Sequence, residues 1–133
     1  MIYAVASYIA GLVPALTVGE NLIIGKFPTV APDLCVALLP RGGVPDGYRL
    51  DFSRYSMQVV VRGTDYEAAD AIAQSIFTAI HGVSGDTIPA VSPDPAYHVA
   101  SILANQQPYT IGQDVQSGRA AITTNYTLTL LEE

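Results

Sequence analysis

The sequence predicts an α+β domain in which two main helices pack on a mostly antiparallel β-sheet. Apolar residues recur at helical spacing in only two stretches, which lie far apart. Between and after them, apolar and polar residues alternate in runs, as in half-buried strands. Half of the 133 residues are hydrophobic, enough for one core, so residues 1–133 are read as a single domain. Separated helices with strands in runs favour helices laid on a sheet.

The first helical stretch places Ile2, Val5, Ile9, Leu12, Val13 and Leu16 on one stripe. Its opposite side holds Tyr3, Ser7, Ala10, Gly11 and Pro14 and carries no charge. Such a side suits close contact with another chain, or cover by loops of the same chain. Pro14 ends or kinks the helix near Gly11. A short apolar run, Leu22 to Ile24, leads to turns around Pro28 and Pro32. Leu34 to Leu39 reads as a strand, and Pro40 to Gly47 reads as a loop because of its proline and glycine content. Tyr48 to Phe52 alternates as an edge strand, and Ser56 to Arg62 alternates with Met57, Val59 and Val61 on one face.

Thr64-Asp65-Tyr66-Glu67 has the form of a capping box at the start of the second helix. Ala69, Ile72, Ala73, Ile76, Phe77 and Ile80 then recur at i, i+3, i+4, and Gly82 supplies the stop. Residues 83–96 read as a loop, Tyr97 to Leu103 as a strand, and Gln106 to Asp114 as a turn region. From Ala120 to Leu130 the alternation is sustained. Ile122, Thr124, Tyr126, Leu128 and Leu130 face one way, and Thr123, Asn125, Thr127 and Thr129 the other.

Charge narrows the function. Only 14% of residues are charged, against about 25% in typical globular chains, so part of the outer surface is expected to be buried against other chains. The net charge is −6, and the six basic residues form no run or stripe in sequence, which argues against nucleic-acid binding. Residues 2–18 are uncharged, but no basic segment precedes them, and Pro14, Gly11 and Ser7 interrupt the run. Neither an export signal nor a membrane span is expected.

No constellation for catalysis or metal binding emerges, and no cofactor is expected. The lone Cys35 sits in an apolar run and reads as a core residue. His81 ends the second helix, where a cation suits the dipole, and His98 falls within a strand. Asp65, Glu67 and Asp70 are explained as acids at a helix start. Arg41-Gly42-Gly43 lacks the spacing of a phosphate loop, and no nucleophile elbow occurs. Eight tyrosines without tryptophan point to protein contacts. The segments 41–54 and 105–119, which mix arginine, glycine and tyrosine, are the contact loops expected. The contact residues expected are Tyr3, Ser7, Arg41, Tyr48, Arg49, Arg54, Tyr55, Arg62, Tyr109, Asp114 and Arg119.

The order of short motifs carries a resemblance. Asn21 to Pro28, Pro32 to Ala37, Gly42-Gly43 and Gln58 to Ala69 running into the helix that ends at His81-Gly82 are followed by Tyr109 to Gly112, Asp114, Gly118-Arg119 and the closing strand through Tyr126. In this order they resemble the tail-terminator, or minor capsid, proteins of long-tailed phages. The resemblance implies a structural virion protein with no enzymatic activity, assembled in the host cytoplasm into a homo-oligomeric ring, usually a hexamer. Such a ring caps the tail tube, stops its growth and joins it to the head-side connector or stopper protein. Genomic DNA passes through the lumen without specific binding, and no membrane is involved. The alternatives are another neck protein, either a head-completion protein or a connector adaptor, and a small enzyme or ligand-binding domain with a pocket near His98 or Gly43.

Overall fold

The computed structural model describes residues 1–27, 32–44, 52–113 and 118–133. The chain begins with α1 (Ile2–Leu12). Ile2, Val5 and Ile9 are buried, as their spacing predicts. Leu12 is 44% exposed, because the helix stops there: Val13 is extended and Pro14 follows. Val13 and Leu16 still reach the core, but from the loop. Asn21 braces that loop, accepting from the Thr17 N–H at 2.7 Å and donating to the Ala15 carbonyl at 2.8 Å.

Three strands come next: β1 (Leu22–Ile24), β2 (Cys35–Val44) and β3 (Phe52–Gly63). They are followed by α2 (Tyr66–Ile80), then β4 (Thr87–Ile88), β5 (Tyr97–Ala104), β6 (Tyr109–Gln113) and β7 (Ala120–Glu132). The described strands form one sheet in the order β1-β2-β3-β7-β5-β4, with β6 also paired to β7. β1 runs parallel to β2, and the other pairs are antiparallel.

β7 organises the sheet. One edge pairs with β3 from Gly63↔Ala120 to Phe52↔Leu131. The other edge is shared end to end: β6 takes residues 120–123 and β5 takes 126–132. A strand of 13 residues spans roughly 40 Å, long enough to carry two neighbours in line.

The α+β expectation is corrected. Among the described residues 23% are helical and 46% lie in strands, and the sheet is a curled, mixed half-barrel, so the fold is mostly β. The first helix is shorter than its apolar stripe, which breaks at Pro14. Residues whose glycines and prolines read as loop lie inside strands instead. Pro40 to Val44 continues β2 through a bulge between Pro40 and Gly43, where Gly42 takes φ 54°. Tyr109 to Gln113, read as a turn, pairs with β7 around a bulge between Thr110 and Gly112. Residues 87 and 88 add a short strand to the stretch read as loop. Of the edge strand read at Tyr48 to Phe52, residues 48–51 lie outside the described residues.

The capping box is corrected as well. Asp65, not Thr64, caps α2 and accepts from the Glu67 N–H at 3.1 Å. The Thr64 N–H and hydroxyl both donate to Asp33 Oδ2, at 2.9 and 2.8 Å. A carboxylate 31 residues upstream has taken the hydroxyl that the local motif would use. Gly82 ends α2 as expected, with φ 85° and its N–H on the Ile102 carbonyl at 2.7 Å.

The core lies on the helix side of the sheet. Val36, Leu38, Met57, Val59, Val61, Ile122, Tyr126, Leu128 and Leu130 meet Val5 and Ile9 of α1 and Ala69, Ala73, Ile76 and Ile80 of α2. The two alanines let α2 settle close to β3. Each large aliphatic side chain buried here stabilises the fold by about 1.5–3 kcal/mol.

Candidate assembly surfaces

Two surfaces stand out, one on each side of the sheet. The first is the outer side of α1. Tyr3 is 46% exposed, and Ser7, Gly11 and Leu12 are exposed beside it. The Tyr8 hydroxyl donates to Asp86 Oδ2 at 2.7 Å, tying the helix to the 86–89 segment. Burial, and then the Asp86 carboxylate, push the Tyr8 phenol up to about 12. Between helix and segment runs an open groove of about 350 Å³ lined by Ala4, Ser7, Tyr8, Gly11, Leu12, Asp86, Thr87 and Pro89. A second hollow, about 460 Å³, lies where Leu12 faces Gln74, Ser75, Thr78 and Ala79 of α2.

The second surface is the sheet face turned away from the helices. Side chains alternate along a strand, so Cys35, Ala37 and Leu39 of β2 share this face with Arg54, Ser56, Gln58, Val60 and Arg62 of β3. Ala121, Thr123, Asn125, Thr127 and Thr129 of β7 join them. A row of polar contacts crosses three strands: Arg41 Nη2 donates to Gln58 Oε1, and Gln58 Nε2 donates to Thr123 Oγ1 at 2.9 Å. The Arg62 guanidinium lies over the Phe27 ring, 4.2 Å from its centroid. Its Nε and Nη2 are buried and have no hydrogen-bond partner. At the end of the face Asp33 accepts from Arg119 Nε at 2.8 Å as well as from Thr64. The Thr64 N–H, Arg119 and the Thr64 hydroxyl together hold the Asp33 carboxyl well below its ordinary value, at about 2.

The residues expected at contacts divide between these surfaces. Tyr3 and Ser7 are on the helix side. Arg41 and Arg54 are exposed on the sheet face, with Arg62 and Arg119 engaged as described. Tyr55 is half-buried on the core side, edge-on to Tyr97 with ring centroids 6.2 Å apart. Tyr109 is 47% exposed on β6, near Ile111 at 51%. Tyr66 stands beside them, with its hydroxyl 3.4 Å from that of Thr110. Tyr48, Arg49 and Asp114 lie outside the described residues. Sequence reading missed the Asp33–Thr64–Arg119 cluster. Its only trace in sequence is a lone aspartate after Pro32, and the three residues are joined by the fold alone.

The arrangement offers little for chemistry. No group of three His, Cys, Asp or Glu side chains able to hold a metal occurs among the described residues. His81 stands at the C-terminal end of α2; its Nδ1 accepts from the Ala104 N–H at 3.0 Å, and its ring stacks on Phe77 with centroids 4.8 Å apart. Cys35 is fully buried, and burial pushes its thiol up, away from the nucleophilic thiolate. No described helix is long and apolar enough to cross a membrane.

Comparison with known proteins places these surfaces in context. Residues 11–132 match the family model described as bacteriophage tail terminator protein. Among solved structures, a chain from the virion of a native gene transfer agent particle is similar with a TM-score of 0.62. It is 13% identical, and the match covers 92% of this chain and 83% of that one, a likeness of fold. No curated protein matches the chain.

Proposed function

The chain belongs to the bacteriophage tail terminator family, and from that premise we propose that it closes into a homo-oligomeric ring that seats on the end of the tail tube. As a member of the family it is a structural protein of the virion tail. In the proposed assembly six copies form the ring, one side caps the tube and ends its polymerisation, and the other meets the head-side connector. The work is done by shape and adhesion, without turnover, and no cofactor takes part. The observation that carries this reading is the family match over residues 11–132.

The surface supports it. The outer side of α1 has no charged residue along Tyr3, Ser7 and Gly11, which is how a helix destined for protein contact differs from one facing water. A ring contact is head-to-tail, so two different surfaces of one subunit must fit each other, and the fold offers one on each side of the sheet. Six copies at −6 would give the ring roughly −36, which suits a passage that DNA crosses without adhering.

The test is solution mass by light scattering at several concentrations, with and without the matching tail-tube protein, together with tube length by electron microscopy. A hexamer, or a monomer that becomes a ring on tube ends and limits their length, is the expected result. A monomer that ignores tube ends would overturn the proposal.

A further inference from the structure

The basic residues, dispersed in sequence, are gathered by the fold. Arg41, Arg54, Arg62 and Arg119 all lie on the sheet face turned away from the helices. Among the described residues, the acid on that face is Asp33, which Arg119 already engages. The helix side is the reverse. Glu67, Asp70 and Gln74 recur on the outward side of α2 at i, i+3 and i+7. Asp86 accepts from Tyr8 of α1, while Asp94 is neutralised by the Met1 ammonium at 2.7 Å and accepts from the Ala4 N–H, so Glu67, Asp70 and Asp86 carry the charge of this side. Neither helix contains a Lys or Arg. A chain of net charge −6 therefore has a cationic side and an anionic side, separated by the thickness of the sheet and its helices.

Cys35, Ala37, Val60 and Thr123 are buried on that face within the chain, whereas Arg41 and Arg54 stand exposed on it. For these two exposed cations, a surface complementary in charge is one this chain itself carries. We infer that the arginine-bearing sheet face of one subunit docks against the acidic helix layer of the next copy, led by Arg41 and Arg54 on one side and Glu67 and Asp70 on the other. This rests on the ring proposed above and specifies which surfaces meet in it. The two surfaces lie on opposite sides of one subunit, as a head-to-tail contact requires. The exposed Tyr3 and Leu12 supply apolar area at the helix-side edge, and the charges fix register and exclude stacking of like faces.

The test is a charge-swap mixture. One variant carries Arg41→Glu and Arg54→Glu, the other Glu67→Lys and Asp70→Lys. None of these four residues belongs to the core. Each variant alone is expected to keep the wild-type circular dichroism spectrum but remain a monomer, because like charges meet at every contact. An equimolar mixture is expected to recover the ring mass, since alternating copies make every contact complementary and six is even. Should a double variant misfold, the single variants Arg54→Gln and Glu67→Gln are expected to raise the dissociation constant of the ring by roughly tenfold, with a shallower salt dependence.

A wild-type ring accompanied by variants that form rings equally well would overturn this inference alone. So would variants that fail singly and are not restored by mixing. Rings of unchanged stability that no longer cap tubes would assign the arginine face to the tube protein instead. A wild type that stays monomeric on tube ends would overturn the ring proposal, and this inference with it.

Discussion

Asp33 Oδ1 accepts the Arg119 Nε–H at 2.8 Å, joining residues 86 positions apart and fastening the chain ahead of β2 to the chain ahead of β7. Its other oxygen takes both donors of Thr64. The Asp33 carboxyl is held at about 2, below its ordinary 3.8, so the stability it contributes is present above pH 4 and is lost as the pH falls through about 2. Asp33→Asn should therefore lower the melting temperature at pH 6 and narrow the difference between pH 6 and pH 3. Calorimetry at the two pH values checks this, and a variant with the full wild-type acid sensitivity would count against it.

Ile76 is fully buried between α2 and the sheet. Truncation to alanine removes three carbons from a packed site and leaves a cavity. Ile76→Ala should cost about 2–5 kcal/mol in urea unfolding, with little change in the slope of the transition. A cost under about 1 kcal/mol would show that α2 is only loosely seated.

Tyr126 presents the opposite case. Its ring is fully buried, yet its hydroxyl has no hydrogen-bond partner, although Thr124 is nearby. Burying that hydroxyl without a partner is a cost that phenylalanine would not incur. Tyr126→Phe is expected to be neutral, or to stabilise the fold by up to about 1 kcal/mol. A clear loss of stability would reveal a bond that the hydroxyl makes.

Ser7 lies at the centre of the uncharged outer side of α1 and lines the groove against Thr87 and Pro89. Ser7→Lys puts a cation where a contact is expected and disturbs no core residue. The fold should be retained, with a melting temperature within a few degrees of wild type. Ring formation should be lost, as read by light scattering.

Much of this was legible in sequence because the signals were local. Met57, Val59 and Val61 alternate along β3, Ala69 to Ile80 repeat along α2, and the long alternation from Ala120 became β7. What sequence hid was non-local. Pro40, Gly42 and Gly112 read as breaks, but a bulge needs only a paired neighbour, and the neighbours of β2 and β6 lie elsewhere in the chain. Thr64 and Glu67 fitted a capping box until Asp33 arrived from outside it. The arginines looked scattered because positions 41, 54, 62 and 119 share a face only once β2, β3 and β7 are side by side. Asp33, Thr64 and Arg119 had no signature at all, because nothing in one strand foretells which loop will lie against its end.

The double-sided pairing of β7 also bears on how the protein is made. β3, β5 and β6 all precede the strand that joins them, so during translation each must leave the ribosome with an open edge and wait. The nascent chain cannot complete its core until residues 120–132 have emerged. Loop closure over such separations is slow compared with helix formation. A polypeptide that stops short of β7 would be left with three unsatisfied edges, prone to pair with whatever it meets. The sheet therefore closes only when β7 arrives, because it is the one strand that joins β3, β5 and β6.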